Sequence, residues 1–123
     1  MIGVQTIGNA TLVAYDKFPI LSTDPWMGGD HVANFGSWRL PYSIPDNIRQ
    51  DILRSEYIWF SHGHQDHLNP DSLHLFKNNK ILISDHFGSR IYKDLKSENF
   101  KVTILEDRKW INLSSNISIM SIA

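Results

Sequence analysis

The stretch "YIWFSHGHQDHLNP", residues 57–70, runs from an apolar segment through three histidines and an aspartate to a helix-start signal. "YIWFS" is short and continuously apolar, which predicts a strand buried on both faces. Asn69 suits the cap of a helix that opens at Pro70, with Asp71 in its first turn. The histidines are thereby expected at the carboxyl end of a buried strand, where open α/β sheets bind ligands. His62 and His64 are two apart, so in extended backbone their imidazoles point to one side. Two neutral ring nitrogens can then meet one divalent cation at about 2.0–2.1 Å. Asp66 and His67 follow where the chain turns into the helix and can serve a second, adjacent position. Gly63 removes bulk between the first two ligands. The chain has 6 histidines and places half of them here. At this composition the pattern arises by chance on the order of one time in a thousand, which favours metal binding over a polar loop.

Outward from this segment the pattern alternates. Before it, "PDNIRQDILRS" predicts a helix with Ile48, Ile52 and Leu53 on one face. After it, "KILIS" and "KVTIL" read as strands around the helix "SRIYKDLKS". "KWINLS" and "ISIMSIA" read as two more strands about the turn Ser114-Ser115-Asn116. The opening segments "IGVQTIG", "ATLVAY" and "FPILST" are strands separated by the turn formers Gly8-Asn9 and Asp16-Lys17. Between them and the first helix lies a long loop, residues 24–45, rich in proline, glycine and tryptophan. A loop of that length in a compact domain is functional or disordered, and its aromatics argue for function. The order predicts an α/β fold with a mixed sheet.

The bulk composition is that of a globular domain. The 123 residues are 41% hydrophobic and 20% charged, with a net charge of −1 from 12 basic and 13 acidic residues. No charge block points to nucleic acid or to a membrane surface. The absence of cysteine excludes disulfides and thiolate metal ligands. No signal peptide is visible, and no apolar run approaches the ~20 residues of a membrane span, so a cytoplasmic location is the expectation.

"HGHQDH", the strand before it and "TDPWMGG…FGSWRLP" upstream resemble the metallo-β-lactamase superfamily. The likeness is greatest to its subgroup with the CMP-N-acetylneuraminate hydroxylase metal domain and the ascorbate-phosphate lactonase-like hydrolases. The resemblance implies a four-layer αββα sandwich, of which residues 1–123 would be the N-terminal half, with helices on one face of the sheet. It implies that His62 and His64 bind a first metal and that Asp66 and His67 bind a second. It implies that Asp24 supports these ligands from behind. One or two Zn²⁺ ions are expected, with Fe or Mn as alternatives. The activity implied is hydrolysis of an ester, lactone, amide or phosphodiester by metal-activated water, with Asp66 orienting the water or accepting its proton. The alternatives are an iron-dependent oxygenase-type enzyme on the same fold and a non-catalytic metal-binding or assembly fragment. The partner expected is a small-molecule substrate. Self-association is also expected, through a sheet face that the second half would otherwise cover.

Other residues have an ordinary explanation beside a functional one. His31, Trp26, Trp38, Arg39 and Tyr42 lie in the long loop and could wall a substrate pocket. A solvated His31 and a loop packed on its own domain are the plainer readings. His86 begins the connection after "KILISD" and could neighbour the site. His74 reads as exposed, and Trp59 and Trp110 read as core.

Overall fold

The structure, a computed structural model, describes residues 1–122. Eight strands are present among them: β1 Ile2–Gly8, β2 Thr11–Asp16, β3 Phe18–Thr23, β4 Tyr57–Phe60, β5 Lys80–Ser84, β6 Lys101–Leu105, β7 Ile111–Asn112 and β8 Ser118–Ile119. The helices are α1 Asp46–Arg54, α2 Pro70–Leu73 and α3 Arg90–Ser97, with short 3₁₀ turns at Asn34–Gly36, His74–Phe76 and Phe87–Ser89. Strands β1 to β6 form one sheet in chain order. The first three are an antiparallel meander, and β3 to β6 are parallel, each joined to the next by a helical crossover.

Alternation along each strand divides the core in two. Ile58 and Phe60 of β4 face the helices, as do Ile81 and Ile83 of β5, and they pack with Ile48 and Ile52 of α1, with Leu95 of α3 and with Phe76 of the 3₁₀ turn after α2. All three helices lie on this face. On the opposite face Ala14, Leu21, Leu82 and Leu105 pack with Leu113, while Ile111, Ile117 and Ile119 lie against them. The short β7–β8 pair thus covers part of the face expected to be open. Ile2, Val4 and Phe18 remain exposed at the β1 side. The expected strand "ISIMSIA" contracts to Ser118–Ile119. Beyond it the strand pairing is reduced to an isolated bridge between Ser121 and Asp107, and residue 123 lies outside the described residues.

The described residues therefore form an α/β domain with a mixed six-stranded sheet. The expected half, a mixed sheet with helices on one face, is present with a two-stranded hairpin against part of the other face, and these residues do not by themselves show a four-layer sandwich. None of the helices is long and apolar enough to cross a membrane.

Two polar ties fix the layers. Ser114 Oγ donates to Asp16 Oδ2 at 2.7 Å, and Asn116 donates from N and Nδ2 at 3.1 Å each, which pins the hairpin turn to the end of β2. These donors hold the Asp16 carboxyl below its usual range. On the helical side, Tyr15 Oη donates to Asp51 Oδ2 at 2.8 Å and links β2 to α1. Burial first, and then the Asp51 hydrogen bond and charge, push the Tyr15 hydroxyl from 10.0 up to about 12. The folded chain keeps this proton where the unfolded chain releases it. The contribution is therefore complete below pH 10.0 and lost as pH rises towards about 12. Urea unfolding followed across that window is expected to show falling stability, and Tyr15→Phe should flatten the fall. An identical slope in the variant would refute the assignment.

Candidate metal-binding site

Because β3, β4 and β5 run parallel, their carboxyl ends meet at one edge of the sheet. Asp24 leaves β3 there, and the segment of residues 61–67 leaves β4. Their junction is held by backbone: Asp24 N donates to Trp59 O at 2.8 Å, continuing the β3–β4 pairing by one step. Asp24 is 2% exposed and sits at φ 38°, in the left-handed region that aspartate tolerates better than most residues. Its carboxylate is aimed at the motif. Oδ1 accepts from Ser61 N at 2.7 Å, and Oδ2 accepts from Ser61 Oγ at 2.6 Å and from His67 Nδ1 at 2.8 Å.

Counting protons assigns the histidine tautomers. A carboxylate only accepts, so the single Ser61 hydroxyl proton goes to Asp24. Ser61 Oγ also lies 2.8 Å from His62 Nδ1 and must accept there, so His62 carries its proton on Nδ1. His67 likewise donates from Nδ1 to Asp24. Both rings thereby keep a bare lone pair on Nε2, the form in which imidazole binds a cation. His62 Nε2 stands 3.1 Å from His64 Nδ1. The ring centroids of His62 lie 4.6 Å from His64 and 4.1 Å from His67. Burial first, then the neighbouring His67 and His64, lower the His62 pKa below its usual value and keep that ring neutral. His67 Nε2 is 3.5 Å from Asp66 Oδ2.

His62 thus neighbours both His64 and His67, and His67 neighbours Asp66. Among the described residues no group of three or more such side chains is arranged to hold a metal ion together. A cavity of about 440 Å³ opens over residues 63–67, walled by Asn34 and Trp38. The loop is laced to the motif by Asn34 N donating to Gln65 Oε1 at 2.7 Å. Asn9 Nδ2 donates to Asp66 O at 2.9 Å from the other side.

Of the loop residues expected to wall a pocket, Trp38 does so and is 52% exposed. Trp26 does not border this cavity: it is 4% exposed, and its Nε1 donates to His31 O at 2.9 Å, locking the loop. His31 is half-buried and does not border this cavity, and its Nδ1 lies 2.8 Å from Ser72 Oγ. A Cβ at Gly63 would meet Ile91 Cδ1 at 3.4 Å, an ordinary contact, so bulk is not what that position excludes. Of two residues central to the site, Ser61 carried no sequence signal, and Asn69 was legible only as a helix cap. Ser61 is the hub between Asp24, His62 and His67. Asn69, fully buried, caps α2 through Ser72 N at 3.0 Å and also donates to Val32 O at 2.8 Å and Gln65 O at 2.9 Å.

No family model matches the chain, and no solved structure matches it. Among curated proteins it is similar to one of Mycolicibacterium smegmatis named as a Rieske 2Fe-2S iron-sulfur protein, 26% identical over 102 residues. It is also 26% identical over 107 residues to the cytidine monophosphate-N-acetylneuraminic acid hydroxylase of Asterias rubens. These alignments cover 79% and 82% of this chain but only 18% and 16% of the two relatives. The metallo-β-lactamase assignment is corrected accordingly: no family model supports it, and the relatives' names belong to iron–sulfur and hydroxylase proteins. The zinc, manganese and hydrolase readings fall with it, since no ready zinc group stands among the described residues. A Rieske centre takes two cysteines as well as two histidines. This chain has no cysteine, so it cannot furnish that ligand set itself.

Proposed function

We propose that the chain forms part of an iron-dependent oxygenase-type enzyme and contributes His62, His64, Asp66 and His67 to its iron site. The observation that carries the reading is the His62 Nε2 to His64 Nδ1 separation of 3.1 Å. Two nitrogens bound to one cation at ~2.1 Å stand about 3 Å apart, so this pair can share an ion with little movement once the bridging proton leaves His64 Nδ1 for its Nε2. Histidine and carboxylate donors without thiolate suit non-haem iron. The relatives' names favour iron over the other metals. Iron, when bound, supplies the redox centre for chemistry with dioxygen.

The chain's own residues do the rest. Asp24 and Ser61 hold His62 and His67 in the ligating tautomer, so no proton need leave Nε2 on binding. Asp66, at the cavity wall, is placed to accept a hydrogen bond from a substrate hydroxyl or from water. Trp38 offers a partly exposed ring to a small-molecule substrate.

His62→Ala and His64→Ala are each expected to abolish tight Fe(II) binding, because each removes one of few ligands. Anaerobic loading followed by elemental analysis, with circular dichroism to verify folding, measures this. Wild-type iron stoichiometry in both folded variants would sink the proposal.

A further inference from the structure

Strand β1 is one edge of the sheet, and among the described residues no strand pairs with its outer side. Its ladder with β2 fixes which backbone groups are left over. Lys17 N donates to Met1 O at 2.8 Å, one step beyond the register in which Ile2 faces Asp16 and Gly3 faces Tyr15. Hydrogen-bonded and non-bonded positions alternate along an antiparallel pair. Gly3 and Gln5 therefore bond β2, while Ile2, Val4 and Thr6 turn both N–H and C=O outward. Sheet edges are ordinarily blunted by charge, proline or a bulge. "IGVQTIG" has no charge and no proline, and its irregularity lies between Thr6 and Gly8, beyond the open positions. The opposite edge, β6, opens with the exposed Lys101. Ile2 and Val4 are 63% and 65% exposed. They share the hairpin-side face with Asp16 and Ala14, their partners in β2. Free hydrogen-bonding groups thus stand beside free apolar surface.

We propose that β1 pairs antiparallel with β1 of a second copy of this chain, about a two-fold axis at Val4. In that register Val4 faces Val4 and Ile2 faces Thr6, so every outward N–H of Ile2, Val4 and Thr6 meets an outward C=O. Shifting the register either way leaves some of them unpaired. This self-complementarity favours a second copy over an unrelated strand. The side chains brought together are apolar or uncharged, so no like charges oppose each other. The pairing is isologous and occupies both β1 edges, so it closes as a dimer and does not extend into a fibre. Ile2 to Thr6 spans only about 17 Å of strand, at ~3.4 Å per residue. The contact is smaller than the ~800 Å² per partner of a standard interface, so micromolar dissociation is expected. None of the four residues assigned to iron takes part, and the proposal stands or falls separately from that assignment.

Sedimentation equilibrium of the 123-residue chain, from low to high micromolar concentration, is expected to show monomer and dimer in exchange. Val4→Lys keeps the ladder with β2 and sets two ammonium groups face to face. It should weaken the dimer about tenfold at low salt, and added salt should restore part of the loss. Phe18→Lys alters an exposed side chain away from this edge and should leave the dimer intact. The chain has no cysteine, so single cysteines report the register. In Val4→Cys the paired Cα atoms stand about 5.5 Å apart, and oxidation should give a covalent dimer. In Gln5→Cys the two positions lie on a diagonal of about 7–8 Å and should not cross-link. Circular dichroism verifies the fold of each variant. A monomer at every concentration, an undiminished dimer in folded Val4→Lys, or equal cross-linking of the two cysteine variants would overturn the proposal. Loss of the dimer in Phe18→Lys would also overturn it and assign self-association to the open sheet face.

Discussion

Asp24→Ala is expected to lower the unfolding free energy by about 3–5 kcal/mol, among the larger costs of a single substitution. Three donors lose their acceptor at once: Ser61 N, Ser61 Oγ and His67 Nδ1. All three surround a side chain that is 2% exposed, so water does not readily replace it. Alanine is also less at ease than aspartate at φ 38°. The same change frees the His62 and His67 tautomers. Iron affinity should therefore drop about 10- to 100-fold, the usual effect of removing a group that orients a ligand. Asp24→Asn keeps the shape and the backbone preference, and should recover part of the stability while leaving iron retention impaired. Urea unfolding and iron analysis of the two variants measure these effects. A loss below about 1 kcal/mol for Asp24→Ala would contradict the burial argument.

Asn69→Ala should cost about 2–4 kcal/mol. This one amide holds three backbone groups from three places: Ser72 N in α2, Gln65 O in the motif and Val32 O in the long loop. Without it, two carbonyls and the first turn of α2 lose partners in a fully buried position. Ser72 would shift with the turn, and Ser72 Oγ is what Met27 N and His31 Nδ1 bond at 3.0 and 2.8 Å. The disturbance should spread to the loop. Faster amide exchange at residues 27–34 and 64–68, alongside the stability loss, is the expected pattern. Asn69→Asp retains the cap acceptor but removes both donors and sets a charge beside two carbonyls, so it should not rescue. A rescue would mean that capping alone is what Asn69 provides.

The strand and helix elements were legible because their signals are local. Alternating apolar residues, Pro45-Asp46 at the start of α1 and Asn69-Pro70 at the start of α2 each act within a few positions. The histidines were legible as a cluster, but the chain bends at His62 and Gly63, so strand alternation is not what sets their rings together. Ser61 was not, because its role depends on the parallel β3–β4 register that brings Asp24 against it, and nothing at position 61 announces that contact. For Trp26 the plainer of the two readings, a loop packed on its own domain, describes what its ring does. A loop rich in tryptophan suggests a pocket, yet Trp26 spends its ring on holding the loop down. Metal identity was illegible from the motif, because imidazole and carboxylate serve zinc and iron alike.

The tie between Asp16 and the hairpin turn also bears on the order in which the chain folds. Strands β1 to β6 lie in chain order, so every sheet pairing joins sequence neighbours and closes modest loops. The Asp16 contacts to Ser114 and Asn116 instead span 98 and 100 residues. Contacts of such separation carry the largest closure entropy and form late. Asp16→Asn should therefore speed unfolding while leaving the refolding rate nearly unchanged, which stopped-flow measurements across a urea series would resolve. The hairpin would then act as a latch on a sheet that has already assembled, setting how long the native state persists rather than how quickly it is reached.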